Sequence, residues 1–377
     1  RDCSRPTTPT ASRLTQKLVN LGDGRSSNHG WNENASILGE VATQQVEYRY
    51  LARKTGKEDY ERRSGRVFEI LQEMQPADGL FYQNIQEGGS GGCPTFAGSP
   101  VSFGAMNDSA YEYMLKVWVQ GNKKEDMYRE MWDKAMDGVH DQLVQKTKPN
   151  GLTFLADRDG GRINRKMDHL ACFMGGALAL GAYTDPKGMD SDRARRDLRT
   201  ARALTYTCYQ MYARTNTGIS SEYVNFNART ETGIAPEFRD FDGEDDMQVP
   251  ENAKFYILRP EAVEAFYYLN KLTGDPIYRE WGWEVFQSIE RYCKTQYGYG
   301  SLTDVNNPNS VQDRMESFFM AETLKYLYLL FDPDSEIDPL NKIRDICTIR
   351  SHFLFLTLFY SAFFCANLIS QMISFLV

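Results

Sequence analysis

Histidine is scarce, with four among 377 residues. The cysteines never form Cys-x-x-Cys or cluster with histidine, so the usual zinc and thiol-redox spacings are absent. Excess positive charge is also missing: 43 Lys and Arg stand against 51 Asp and Glu, a net charge of −8. Such a balance opposes a polyphosphate partner, and no nucleic acid is expected. The seven cysteines are odd in number and cannot all pair internally. No charged-then-apolar leader opens the chain at Arg1, so any signal or anchor segment would lie upstream.

What is present falls in the globular class, with 41% hydrophobic and 25% charged residues. Aromatics reach 13%, including 22 Tyr and 21 Phe, more than a core strictly needs and compatible with stacking on sugar rings. Amphipathic stretches alternate with short Gly-punctuated runs. Val41, Val46, Tyr48 and Leu51 begin one apolar stripe, and Tyr111, Met114, Leu115, Trp118 and Val119 form a clearer one. Extended pieces are expected at 79–82, 151–155 and 297–300. A weak repeat links Lys54-Thr55-Gly56-Lys57 with Leu272-Thr273-Gly274-Asp275, each followed at equal offsets by Tyr and Phe, with Gly121 as a looser copy. Each copy predicts a helix ending at Gly and another starting with acidic residues.

Four segments carry candidate chemistry. In Arg259-Pro260-Glu261-Ala262-Val263-Glu264, Pro260 suits a first helical turn, which puts Glu261 at the positive end of a helix and Glu264 one turn on. Two carboxylates beside an Arg suit general base work on water, although an acidic pair there is also ordinary helix dressing. Asp108, before an apolar stripe, stands where an N-cap belongs. His169 lies beside Asp168 at the start of a small-residue helix; a lone His is more often structural. Phe318 and Glu322 would share a helix face, an aromatic beside a carboxylate that suits a sugar, while Glu316 points elsewhere.

Taken together these segments read G-x-x-x-D-S-x-Y-E-Y, M-D-H-L-x-C-F, R-P-E-x-V-E and M-E-S-F-F-x-x-E-T-L-K-Y-L-Y-L-L-F, in that order, up to about Lys342. In these blocks the chain resembles the class I α-1,2-mannosidases of glycoside hydrolase family 47. The resemblance implies an all-α toroid with short β-hairpins, a partial (α/α)7 barrel over residues 1–342, followed by a non-family hydrophobic tail at 343–377. It implies calcium at the barrel floor and, for the parent enzyme, inverting hydrolysis of α-1,2-linked mannose from oligomannose N-glycans on glycoproteins, with the turnover of this chain itself expected to be impaired. Glu261 would be the base and Asp108 the other catalytic carboxylate. Glu40, Met106, His169, Arg259, Glu264, Phe318 and Glu322 would bind substrate, and Cys172 would pair with Cys208. A non-catalytic mannose-glycan-binding relative, acting in glycoprotein quality control, is the alternative.

The chain departs from the family pattern in two places. The family's usual general acid lies in a Glu-Thr/Ser-x-Ile-Arg block, which does not occur here. The Thr-Glu-Ala-His strand, whose Thr supplies calcium ligands, has no counterpart, and losing it weakens a cation that takes roughly six to eight oxygens. Met106 stands where members of the endoplasmic reticulum type carry Arg, as in Golgi-type members. The expected compartment is the lumen of the endoplasmic reticulum or Golgi, with a membrane anchor upstream or at 351–377. From Ser351 onward there is no Asp, Glu, Lys or Arg, enough to span a bilayer, though a mis-joined coding segment would read alike. Arg344 and Arg350 would hold a domain preceding such a span in the cytoplasm, at odds with a lumenal glycosidase.

Overall fold

The computed structural model describes residues 14–28, 30–88, 93–148, 150–227, 229–230, 233–234, 246–332, 335, 337 and 339–340. Two units divide the chain, one of residues 1–144 and 156–164, the other of residues 145–155 and 165–377.

In the first unit, helices α1 (Leu38–Val41), α2 (Gln45–Thr55), α3 (Asp59–Met74), α4 (Asp108–Gln120) and α5 (Asp126–Gly138) follow one another. The α2 helix stops where Gly56 turns left-handed, at φ 68°, and α3 opens with Asp59 and Glu61 in its first turn, as the repeat predicts. The looser copy is also a helix hairpin, but Gly121 has φ −76°. A Cβ there would stand 2.5 Å from Glu125 Oε2, so this glycine serves close packing and not a left-handed cap.

The stripe of Tyr111, Met114, Leu115, Trp118 and Val119 is buried throughout. The stripe expected in α2 is not. Val46 is buried, but Tyr48 and Leu51 are each 39% exposed, and Gln45, Arg49 and Ala52 face inward instead. Arg49 can turn inward because its guanidinium forks onto Glu125 with two bonds of 2.6 Å, which satisfies a charge that burial would otherwise penalise. Two three-stranded antiparallel sheets belong to the unit, Ser36–Ile37 with Asn84–Gln86 and Thr95–Ala97, and Pro100–Val101 with Asp157–Asp159 and Arg162–Asn164. The run at 79–82 is not a strand: the Phe81 amide donates to the Tyr111 hydroxyl at 2.9 Å, so a side chain takes the place of a ladder partner.

In the second unit, α6 (Phe173–Tyr183) is followed directly by α7 (Asp192–Ala213) and α8 (Glu261–Thr273) by α9 (Ile277–Tyr292), with short strands between these pairs and before α10 (Lys325–Phe331). Every residue from Phe173 to Ala182 is buried. Gly175 lets α6 lie close to both neighbours, since a Cβ there would stand 2.0 Å from Thr205 Oγ1 and 3.2 Å from Ala265 Cβ. Ser191 caps α7 by accepting from the Ala194 amide at 3.0 Å. Gly274, at φ 72°, ends α8 as Gly56 ends α2, so the two closest copies of the repeat are matching hairpins. Thr153–Leu155 is a strand as expected, whereas 297–300 is a turn with one isolated bridge, Lys294 to Tyr299, leading into Ser301–Leu302.

Cys172 and Cys208 form the implied disulfide, with Cα atoms 5.9 Å apart. Cys93 is also disulfide-bonded, and Cys293 is a buried thiol. Among the described residues no helix is long and apolar enough to cross a membrane. The span considered at 351–377 lies outside the described residues.

Candidate active site

In the second unit the strand Lys166–Asp168 pairs with Tyr223–Phe226 and then winds into a 3-10 turn, His169–Cys172. The His169 amide donates to the Glu222 carbonyl at 2.8 Å, which anchors the turn. The segment before α8 is set by an unusual residue. Leu258 has φ 66°, a left-handed conformation costing a non-glycine residue about 1–3 kcal/mol. Its carbonyl accepts from Thr323 Oγ1 at 2.7 Å, which ties it to the π-helical turn Phe319–Leu324.

Directly after Leu258, Arg259 forks onto Glu222, its Nε donating to Oε2 at 2.7 Å and its Nη2 to Oε1. Its Nη1 stands 3.8 Å from Glu261 Oε1. Burial works against the guanidinium charge, but the Glu222 bond and the charges of Glu261, Glu222 and Asp168 outweigh it and raise the pKa further. Glu261 is the first residue of α8, where the helix presents positive potential. Its Oε2 lies 2.9 Å from His169 Nδ1, and the other ring nitrogen, Nε2, lies 2.7 Å from the Tyr212 hydroxyl. His169 is fully buried, while the Glu261 side chain keeps 12% exposure. One carboxylate is thus gripped from behind and open in front.

The other expected residues of this unit sit nearby in sequence but differ in partners. Glu264 is buried and its Oε1 accepts from the Tyr326 hydroxyl at 2.8 Å. Phe318 and Glu322 are both half-buried, and the turn that carries Glu322 is π-helical and not the ordinary helix expected. Such wide turns recur at functional sites. Glu316 instead accepts from Arg314 Nε at 2.6 Å.

The first unit holds the remaining three. Glu40, in α1, is ion-paired with Lys17. Met106, at φ 76° and 37% exposed, accepts the Gly39 amide on its carbonyl at 2.7 Å. Asp108 is the first residue of α4 and not its cap; Asn107 holds that position, and its Nδ2 donates to the Phe81 carbonyl at 3.2 Å. Asp108 Oδ1 accepts the Ser109 amide at 2.7 Å.

Residues 6–347 match the family model described as glycosyl hydrolase family 47. The chain belongs to that family. Family 47 relatives include mannosyl-oligosaccharide 1,2-alpha-mannosidase MNS1 of Arabidopsis thaliana, 39% identical over 335 residues, covering 88% of this chain and 55% of the relative. The endoplasmic reticulum mannosyl-oligosaccharide 1,2-alpha-mannosidase of Mus musculus is 37% identical over 336 residues, covering 88% and 48%. The chain therefore spans about half the length of these curated relatives. The solved alpha-1,2-mannosidase from Trichoderma reesei matches with a TM-score of 0.76 at 26% identity, covering 87% of this chain and 66% of that one. Its likeness bears out the expected family 47 fold class.

Two contributors to the site carry no mark in the sequence, Glu222 and Tyr212, and a third, Asp168, shows there only within the Met-Asp-His-Leu block. Glu222 follows two serines with nothing to distinguish it, and only the fork from Arg259 reveals its part. Asp168, whose Oδ1 lies 2.7 Å from Lys166 Nζ, reads in sequence only as a neighbour of His169. Regarding the family's calcium, no group of three or more His, Cys, Asp or Glu among the described residues is disposed to hold a metal ion. The described carboxylates alone thus do not make the oxygen cage that calcium takes.

Proposed function

We propose that the protein hydrolyses terminal α-1,2-linked mannose of oligomannose N-glycans with inversion, and that Glu261 is the base that takes a proton from the attacking water. The observation that carries this is the Glu261 carboxylate at the mouth of α8, 2.9 Å from His169 Nδ1 and 3.8 Å from Arg259 Nη1, with its side chain still 12% exposed. An inverting glycosidase needs one carboxylate that activates water and a separate acid that protonates the leaving oxygen. A base held by fixed donors does not have to find its orientation during the reaction. Asp108 as second catalytic carboxylate, and Glu40, Met106, His169, Arg259, Glu264, Phe318 and Glu322 as substrate-binding residues, rest on the family resemblance.

The relatives' names supply the linkage, and the name of the mouse relative, together with the Cys172–Cys208 disulfide, supports action in an oxidising secretory compartment. The test supplies the proton donor by joining the chain to a family segment bearing Glu-Thr/Ser-x-Ile-Arg. The joined protein should release mannose from oligomannose first as the β anomer. Glu261→Gln should lower turnover about 10²- to 10⁴-fold with glycan binding largely kept. Binding without any turnover would favour the glycan-binding alternative, and an unimpaired Glu261→Gln protein would remove the assignment. Calcium dependence is proposed for the same protein once Thr-Glu-Ala-His is also supplied; turnover unchanged by chelation would refute it.

A further inference from the structure

We infer that Tyr212 is a positioning residue of this site, its hydroxyl holding His169 in the tautomer whose Nδ1–H donates to Glu261; the inference rests on Glu261 being the base proposed above. A carboxylate can only accept, so the Glu261 oxygen 2.9 Å from Nδ1 requires the proton there. A neutral imidazole must then accept at Nε2, and the hydroxyl 2.7 Å away is that of Tyr212. Tyr212 has a proton to give, because burial pushes its ionisation far above the ordinary tyrosine range.

The arrangement continues one step further. The Tyr256 ring meets that of Tyr212 edge-on at 76°. The Tyr256 hydroxyl donates to the Arg259 carbonyl at 3.3 Å, which ties this ring to the loop that carries Arg259. His169, Tyr212 and Tyr256 are all buried to within 1%. Bulk water is therefore excluded from the positions where it could substitute for either hydroxyl. In the opposite tautomer the Nδ1 lone pair would face the carboxylate, and Glu261 would lose one of its two fixed partners.

A buried tyrosine whose hydroxyl is merely satisfied would show the same contacts. The two roles are separated by the histidine tautomer itself, read from long-range ¹H–¹⁵N spectra of the 377-residue chain labelled at its four histidines. The His169 resonances would be assigned by their loss in His169→Gln. The expected spectrum shows a single Nδ1–H form near neutral pH. Tyr212→Phe, which keeps the ring, should give a tautomer mixture. In the joined protein Tyr212→Phe should lower kcat about 10- to 100-fold with KM little changed. An Nε2–H form in the unaltered chain overturns the inference, and so does a Tyr212→Phe protein with a single Nδ1–H form and unchanged kcat. Should Tyr212→Phe not fold, the unaltered spectrum decides alone. Absence of turnover in the joined protein would overturn the hydrolase reading and leave the tautomer result standing.

Discussion

The thiol of Cys293 lies close enough to Tyr212 and Tyr256 to act on their ionisation, and burial pushes its own pKa up to about 12. An unfolded thiol ionises near 8.5 or so. Folding therefore favours the neutral form, and this contribution is fully present below that pH and fades as pH rises toward the folded value. Native protein should resist iodoacetamide at mildly alkaline pH and label at Cys293 only in denaturant. Rapid labelling of the native fold would contradict the burial. At the same scale, Arg259 and Glu261 were readable as a pair because they sit two residues apart. Glu222 was not, because a fork closing across 37 positions leaves no local trace. Tyr212 was not legible either, since nothing in Thr207-Cys208-Tyr209-Gln210-Met211-Tyr212 tells which tyrosine turns toward an imidazole.

Between elements, the approach of α1 to the loop before α4 depends on a glycine. The Gly39 amide donates to the Met106 carbonyl at 2.7 Å, and a Cβ at Gly39 would stand 2.8 Å from that same oxygen. Gly39→Ala must therefore push the loop away, at a cost of about 1–3 kcal/mol. A thermal midpoint lowered by a few degrees would show this, and an unchanged midpoint would mean that the loop yields freely. Met106 and Leu258 are both non-glycine residues in left-handed conformation, and each stands within a few positions of a proposed catalytic carboxylate. Strain of this kind collects where surrounding contacts fix a functional geometry.

The helix hairpins were legible because Gly56 and Gly274 mark left-handed caps with acidic residues after them. The π-helical turn at Phe319–Leu324 was not, because its apolar spacing passes for an ordinary helix. The inward face of α2 was misread for a related reason: periodicity counts apolar residues, and Arg49 is buried through partners on distant segments.

For the molecule as a whole, family membership was the most readable property, since four blocks in order require no knowledge of contacts, and the family model runs from 6 to 347. The disulfide closes a separation of 36 residues, which by loop entropy stabilises the fold by about 3–4 kcal/mol. Cys208→Ser should lower the denaturant midpoint accordingly; an equal midpoint would show that packing alone holds α6 against α7. Cys172 follows His169 within a turn, and Cys208 precedes Tyr212 by about one turn of α7. The covalent bond thus joins the two segments that hold the imidazole and the phenol in register. A chain that has folded but not yet surrendered two electrons carries every atom of this hydrogen-bonded pair without its clasp. The maturity of the site is then dated by an oxidation, an event invisible in the order of amino acids.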